Sequence, residues 1–355
     1  MRPLVNTGRQ SELDVAKVLA IPYMVIIHVY EEMSVVNYHV MPDNLFRVIL
    51  EFLGGPLAAP VFMFAMGVGM VYTRHRNPRA FAMRGLRLLA AAYLLNLIRM
   101  TIPYGIAVLS GDSWGSWTIV DTIGLVDILQ FAGMAFLLVV LLEKWRVGRY
   151  GIVAVALLLQ GLGTLLLHSF DHLPLVAQYA VGLVFFTNPN IAFPLSLWFV
   201  YPACGIFFGE FLQTVIDKRK LYNGIGLLSA AGLVAGTVSL KYMGYNPLRI
   251  FALADESYYI QHFAGTVWIL FVIGIQLFIC YRISLHLQGR MQQKTEFISR
   301  HLNTIYLIQW VLIPYTLLVM EMADLPLVPV WAIVPVGLLI AVVSMVCARY
   351  VRIKV

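Results

Sequence analysis

Charge is scarce in this sequence. Asp, Glu, Lys and Arg make up 12% of its 355 residues, about half of the roughly 25% that soluble domains carry. A chain with so few ionic side chains cannot cover a globule with a solvated surface, which excludes an ordinary soluble fold. Cysteine is nearly absent as well. Cys204, Cys280 and Cys347 each lie inside an apolar run, with no Cys-x-x-Cys pair and no Cys/His cluster. That excludes a disulfide framework and argues against a zinc site or any other metal centre. Also missing is a polar stretch long enough for a separate soluble domain, so residues 1–355 read as a single integral-membrane domain.

What is present is apolar. Hydrophobic residues account for 60% of the chain, and the mean hydropathy is +0.81. Long apolar runs fall near 15–33, 54–73, 86–108, 123–142, 150–168, 192–213, 222–240, 260–281, 304–322 and 328–349. Spanning a bilayer takes about 20 apolar residues in a helix. None of the runs alternates with a period of two, which excludes a barrel. The expected fold is therefore all-α, a polytopic bundle of about ten transmembrane helices. A shorter apolar stretch, 173–186, suits an interfacial or re-entrant segment. Recurrent small residues, as in "GVGM", "GLG" and "AAGLVAG", predict close helix–helix approach.

The net charge of +7 is a topological signal. Arg2, Arg9, the loop "RHRNPRAFAMRGLR", "EKWRVGR", "DKRK", the segment from Arg282 to Arg300 and "RYVRIK" hold 20 of the 25 Lys and Arg residues, and all fall on one side of the bundle. The opposite loops carry Glu31, Glu32, Asp43, Asp112, Asp171, Asp255, Glu256 and Asp324. The positive-inside rule puts both termini in the cytoplasm. Nucleic acid is thus not an expected partner, whereas membrane lipid is. The first apolar run has no small-residue cleavage site after it and reads as an uncleaved anchor. The expected location is a cell membrane, in the first instance a bacterial inner membrane.

The informative residues are the polar ones at membrane depth. Asp14 and Lys17, three residues apart, can pair on one helical face. His28 lies eleven residues beyond Lys17, about 20° past three full turns, so the two share a face some 16 Å apart along the axis. Either alone suits a snorkelling anchor or an interhelical hydrogen bond. Arg99, Asp127, Gln130 and His262 reach a depth similar to that of His28, on the acidic side. An Asp–His pair would fix an imidazole tautomer and support a general base. Lys17, Arg84 and Arg87 lie on the basic side, where anionic lipid or phosphate groups would meet them. Two stations, one cationic and one carrying an imidazole, suit a long donor with phosphates at one end and a reactive group at the other. Acyl-CoA has that shape.

"ELDVAKVLAIPYMVIIH" resembles the first span of the integral-membrane sugar acyltransferases, namely the acyltransferase 3 family and the related heparan-alpha-glucosaminide N-acetyltransferase family. In the former an Arg and a His are separated by ten residues, the spacing of Lys17 and His28 here. Lys17 stands where Arg is usual and Val18 where Gly is usual. "GGPLAAPVFMFAMGVGM", "DILQFAGMAFLL" and "FPLSLWFVYPACGIFFGEFL" resemble later spans of the heparan-type family. His39 has the spacing from His28 of a His that this family carries in its first outer loop. "LNTIYLIQW" resembles a late span of acyltransferase 3 proteins, with Gln309 where His is usual.

The resemblance implies transfer of an acyl group, often acetyl, from acyl-CoA to a sugar hydroxyl or amine of an envelope or extracytoplasmic glycan or glycolipid. His28, or alternatively His39, would be the general base, with Asp127 supporting the imidazole. Gln130 or Arg99 would donate to the thioester oxyanion or hold substrate, together with His262. Lys17, Arg84 and Arg87 are the candidates for the CoA phosphates. A homo-oligomer is left open. The competing readings are a transporter or flippase, since intramembrane charge also marks substrate paths, and an inactive family member.

Overall fold

The computed structural model describes residues 4–36, 41–73, 77–111, 115–252 and 258–351, without the side chains of residues 249 and 250. The described chain is all-helical apart from two isolated bridges, Ser34 with Val328 and Val126 with Ile191. All ten apolar runs form helices. Eight of these, counting helices continued across a kink as one, have at least 18 residues and the hydropathy of a membrane span. The other two, Ile128–Lys144 and Arg149–Leu165, have 17 residues each. That length lies at the lower limit for crossing a bilayer.

In chain order the helices are α1 (Ser11–Glu32), α2 (Leu45–Gly54), α3 (Ala59–Tyr72), α4 (Pro78–Asn96), α5 (Ile102–Leu109), α6 (Ile119–Gly124), α7 (Ile128–Lys144), α8 (Arg149–Leu165), α9 (Leu175–Gly182), α10 (Leu195–Trp198), α11 (Val200–Leu212), α12 (Lys218–Tyr242), α13 (Phe263–Ser284), α14 (Gly289–Arg300), α15 (Leu302–Met322) and α16 (Ile333–Cys347). The first helix is central. It packs on α2, α3, α13, α14, α15 and α16, so its polar residues face protein on several sides. Glu12 and Asp14 occupy its first turn, where the helix dipole favours negative charge.

Both ends of the described chain meet at one end of the bundle. Val5 N–H donates to Gln213 O at 2.8 Å, and the Arg349 guanidinium lies over the Phe297 ring. Around them, Arg9 pairs with Asp14 (2.6 Å) and Lys218 with Glu12 (2.5 Å). We call this the basic end. Asp14 also accepts from Ser299 Oγ–H at 2.6 Å. The expected Asp14–Lys17 pair is therefore not the one formed, because Arg9 and Ser299 occupy the carboxylate.

Two expected spans are broken where sequence alone reads them as continuous. The run 123–142 becomes a helix only at Ile128. Asp127 stops it as an N-cap, with Gln130 completing a capping box, a pattern that starts helices. The unwound backbone just before it is buried and satisfied by residues 190–192. Val126 N–H donates to Asn190 O (3.1 Å), and Ala192 N–H to Val126 O (3.0 Å). Irregular backbone is tolerated at membrane depth only when buried and paired in this way. The second break lies between α4 and α5, where Leu97–Thr101 form a π-helical turn. The stretch 173–186 contributes the eight-residue α9.

Close approach at glycine is confirmed where α3 crosses α11. A Cβ built on Gly67 would overlap the Pro202 carbonyl, and one on Gly205 the Phe64 carbonyl. Because backbone rather than a flexible side chain blocks the space, Gly67→Leu should destabilise the bundle by about 1–3 kcal/mol or more. Gly224→Ala in α12, where an added methyl meets nothing within 4 Å, should leave stability unchanged or slightly higher. Thermal unfolding of detergent-solubilised protein checks both, and a Gly67→Leu protein that melts with the wild type would contradict the crossing.

Candidate functional site

Two spaces lie along α1. The larger is a cavity of about 750 Å³, within the range of small-molecule sites. It runs from Thr7, Arg9 and Arg300 at the basic end, past Lys17 and Arg84, to Met24, Phe62, Ile128 and Tyr306 in mid-bundle. The smaller is a void of about 40 Å³ lined by His28, Glu31, Asp127, Phe193, Tyr258 and Tyr259, with room for water but not for a sugar ring. Met24, Phe62, Ile128 and Tyr306 line both spaces, so a single layer of side chains divides them. The shared face expected for Lys17 and His28 is thus realised, one residue in each space.

The polar centre around the void is built from four elements. From the π-helical turn comes Arg99, which is 2% exposed; π-turns inside helices frequently mark functional sites. Its Nη2 lies 3.0 Å from Asp127 Oδ2 and donates to Asn96 Oδ1 at 3.2 Å. Asn96 in turn donates to the carbonyls of Ile123 (3.0 Å) and Leu125 (2.7 Å), which ties α4 to the unwound segment before α7. The Asp127 carboxylate also accepts from Tyr306 O–H (2.6 Å) and from Ile128 N–H (2.7 Å). From α1, His28 places Nδ1 3.1 Å from Gln309 Oε1 on α15. Trp310 follows in sequence. Its ring centroid lies 4.2 Å from that of the imidazole, tilted by 35°, and the Arg99 guanidinium carbon sits 4.2 Å from the same indole ring.

Donors outnumber acceptors here. Arg99 Nε and Nη1 and Gln309 Nε2 are buried with no hydrogen-bond acceptor among the described residues. Unsatisfied buried donors are costly, and in a chemical site they suit a substrate oxygen. On the far side of the void, Tyr259 O–H donates to Glu31 (3.2 Å). Tyr258 O–H donates to Gly55 O (3.1 Å) and Trp198 Nε1–H to Tyr259 O (3.1 Å). The Tyr258–Tyr259 wall is therefore clamped to α1, to the α2–α3 junction and to α10.

The sequence-expected residues separate into three groups. Lys17 and Arg84 line the cavity, His28 and Asp127 line the void, and Arg99 sits behind Asp127, paired with it, without lining either space. Three others do not join them. Arg87 is exposed and off the cavity. Gln130 is spent on the α7 cap, accepting from Asp127 N–H (3.1 Å) and donating to Leu125 O (3.0 Å). His262 is the exposed N-cap residue of α13, while its neighbour Gln261 is buried and accepts from Tyr201 O–H at 2.7 Å. His39 lies outside the described residues. No hydrogen bond joins Asp127 to His28; the imidazole's partner is Gln309, and Asp127 is taken by Arg99 and Tyr306. Sequence reasoning assigned no role to Tyr306, Gln309 or Trp310. The signal was their spacing, since positions i, i+3 and i+4 put them on one face of α15.

Comparison with known families gives one match. A family model described as heparan-alpha-glucosaminide N-acetyltransferase, catalytic, fits residues 9–243. No curated protein matches the sequence. The matched segment contains Lys17, His28, Arg84, Arg99 and Asp127, whereas α15 lies beyond it. Because the match covers about two-thirds of the chain, on a helical bundle that carries these residues around two adjoining spaces, the chain belongs to the heparan-alpha-glucosaminide N-acetyltransferase catalytic family.

Proposed function

We propose that this protein transfers an acyl group, acetyl in the first instance, from cytoplasmic acyl-CoA to a hydroxyl or amine of a glycan or glycolipid on the other side of a cell membrane. One observation carries the reading. A cavity large enough for a cofactor-sized donor begins among Arg9, Lys17 and Arg84 and ends one side-chain layer from His28. Lys17 and His28 are about 16 Å apart along α1, comparable to an extended pantetheine arm. With Arg9 engaged by Asp14, the Lys17 ammonium forms no ion pair among the described residues, which suits a cation held for a phosphate. The charge bias of the loops supports cytoplasmic termini and donor loading from that side. A bacterial inner membrane fits the same bias.

In this reaction the acceptor oxygen or nitrogen attacks the thioester carbonyl while His28 removes its proton as general base. The carbonyl oxygen gains negative charge, and Arg99, held 3.0 Å behind Asp127, would reach it with its unpartnered N–H groups once the dividing side chains move. The C–S bond then breaks, and the CoA thiolate recovers the proton from the imidazolium. Arg99 is held for this role by Asp127, so Asp127 acts on the donor side of the reaction rather than on the base. Movement of the four dividing side chains, or of the Tyr258–Tyr259 wall, must accompany acceptor binding, because the void alone is too small for a sugar.

Two predictions follow from this assignment. His28→Ala should lower acetyl-CoA-dependent transfer by about 10²–10⁴-fold while binding CoA as the wild type does. Retained activity would remove His28 as the base, and substrate translocation without consumption of acetyl-CoA would identify a transporter instead. Lys17→Ala should weaken CoA binding by about 10–100-fold, the loss of one charge-assisted contact. Lys17→Arg should bind CoA at least as well, and Arg87→Ala should be silent. Calorimetry with CoA reads all three, and equal Kd values for Lys17→Ala and wild type would exclude the phosphate role.

A further inference from the structure

We infer that Gln309 is a positioning residue that holds the His28 imidazole in the Nδ1–H tautomer, leaving Nε2 as the nitrogen that meets substrate. The inference rests on the reading of His28 as general base but is tested separately from it. Its starting point is the 3.1 Å contact between His28 Nδ1 and Gln309 Oε1. With the Gln309 amide turned this way its oxygen can only accept, so the nitrogen facing it carries the proton. A neutral imidazole has one N–H, and Nε2 is then unprotonated with its lone pair free. Nε2 has no hydrogen-bond partner among the described residues, and His28 lines the void next to the donor cavity.

The contact is held from both sides. Gln309 is fully buried, so no water competes for its oxygen. The neighbouring Trp310 ring lies against the imidazole at 4.2 Å and restrains its plane. An exposed histidine prefers its proton on Nε2, so the Nδ1–H form needs an acceptor at that distance. In serine proteases a carboxylate does this work, and a substitution that gives the wrong tautomer costs about 10⁴ in kcat. Here a neutral amide serves, which sets the tautomer without adding a charge to the bilayer interior. The consequence is that α15, outside the segment matched by the family, completes a centre whose other members lie within it.

The test uses the full chain in lipid nanodiscs with ¹⁵N-labelled histidine, the His28 signals being assigned by their loss in His28→Ala. In the wild type the His28 Nδ1 should resonate as a protonated nitrogen and Nε2 as a bare one. Gln309→Met, similar in volume but without an acceptor oxygen, should move the proton partly or wholly to Nε2. It should also lower kcat for acetyl transfer on the order of tenfold to hundredfold, with KM for acetyl-CoA within about threefold. Gln309→Glu, which keeps an acceptor, should restore the Nδ1–H signal. A wild-type His28 protonated on Nε2, or a Gln309→Met protein with the wild-type tautomer and kcat, overturns the inference. An active His28→Ala protein would instead remove the general base and leave the tautomer assignment to the spectra.

Discussion

The ion pair between Arg99 and Asp127 is the constraint around which the centre is arranged. Taking two charges out of water costs several kcal/mol per ion, and a carboxylate in such a pair needs further donors for its remaining lone pairs. Asp127 meets that demand with Arg99, Tyr306 and the first backbone N–H of α7. Each partner comes from a different element, so the pair fixes the relative positions of the π-helical turn, the start of α7 and the N-terminal part of α15. The break before Ile128 follows from the same requirement. In a continuous helix the Ile128 N–H would donate to the carbonyl four residues back, and Asp127 would lose that donor.

That geometry leaves a surplus of donors beside an imidazole. The charge of Arg99 is neutralised through Nη2 alone, while Nε and Nη1 have no acceptor. Trp310 lies under both the guanidinium and the imidazole, which holds imidazole and donors in one frame. The basic end is arranged in the opposite sense. There the carboxylates are satisfied by Arg9, Ser299, Lys218 and Tyr222, and the charge left over is positive. An anionic, elongated ligand would find cations at its head and N–H donors at its reactive end.

The span positions, the glycine crossings and the shared face of Lys17 and His28 were legible in the sequence because each depends on one helix at a time. Hydropathy locates a span, and 100° per residue locates a face. What was not legible depends on neighbours. Asp127 and Gln130 have the same residue types whether they ligate a substrate or cap a helix. Only the Asp-x-x-Gln spacing favours the cap. Arg84 and Arg87 lie within one turn of each other, yet α4 turns only the first toward the cavity. His262 and Gln261 are adjacent, and the polar residue that the protein buries is the amide.

Gln309 shows why the last step resisted sequence reasoning. Its position stands out only against a family in which a histidine is usual there, and a histidine there would pair with His28 very differently. Two imidazoles in contact can exchange donor and acceptor roles, whereas an amide oxygen cannot donate. With its oxygen turned to Nδ1, the Gln309 amide assigns that nitrogen the proton. Lys17, at the opposite end of α1, presents a single flexible point charge rather than the rigid planar fork of an Arg. With Asp14 committed to Arg9, that point charge is free to follow a phosphate. On the proposed reading, the same helix presents a compliant cation where the donor would enter and a held imidazole where the reacting atoms would be aligned.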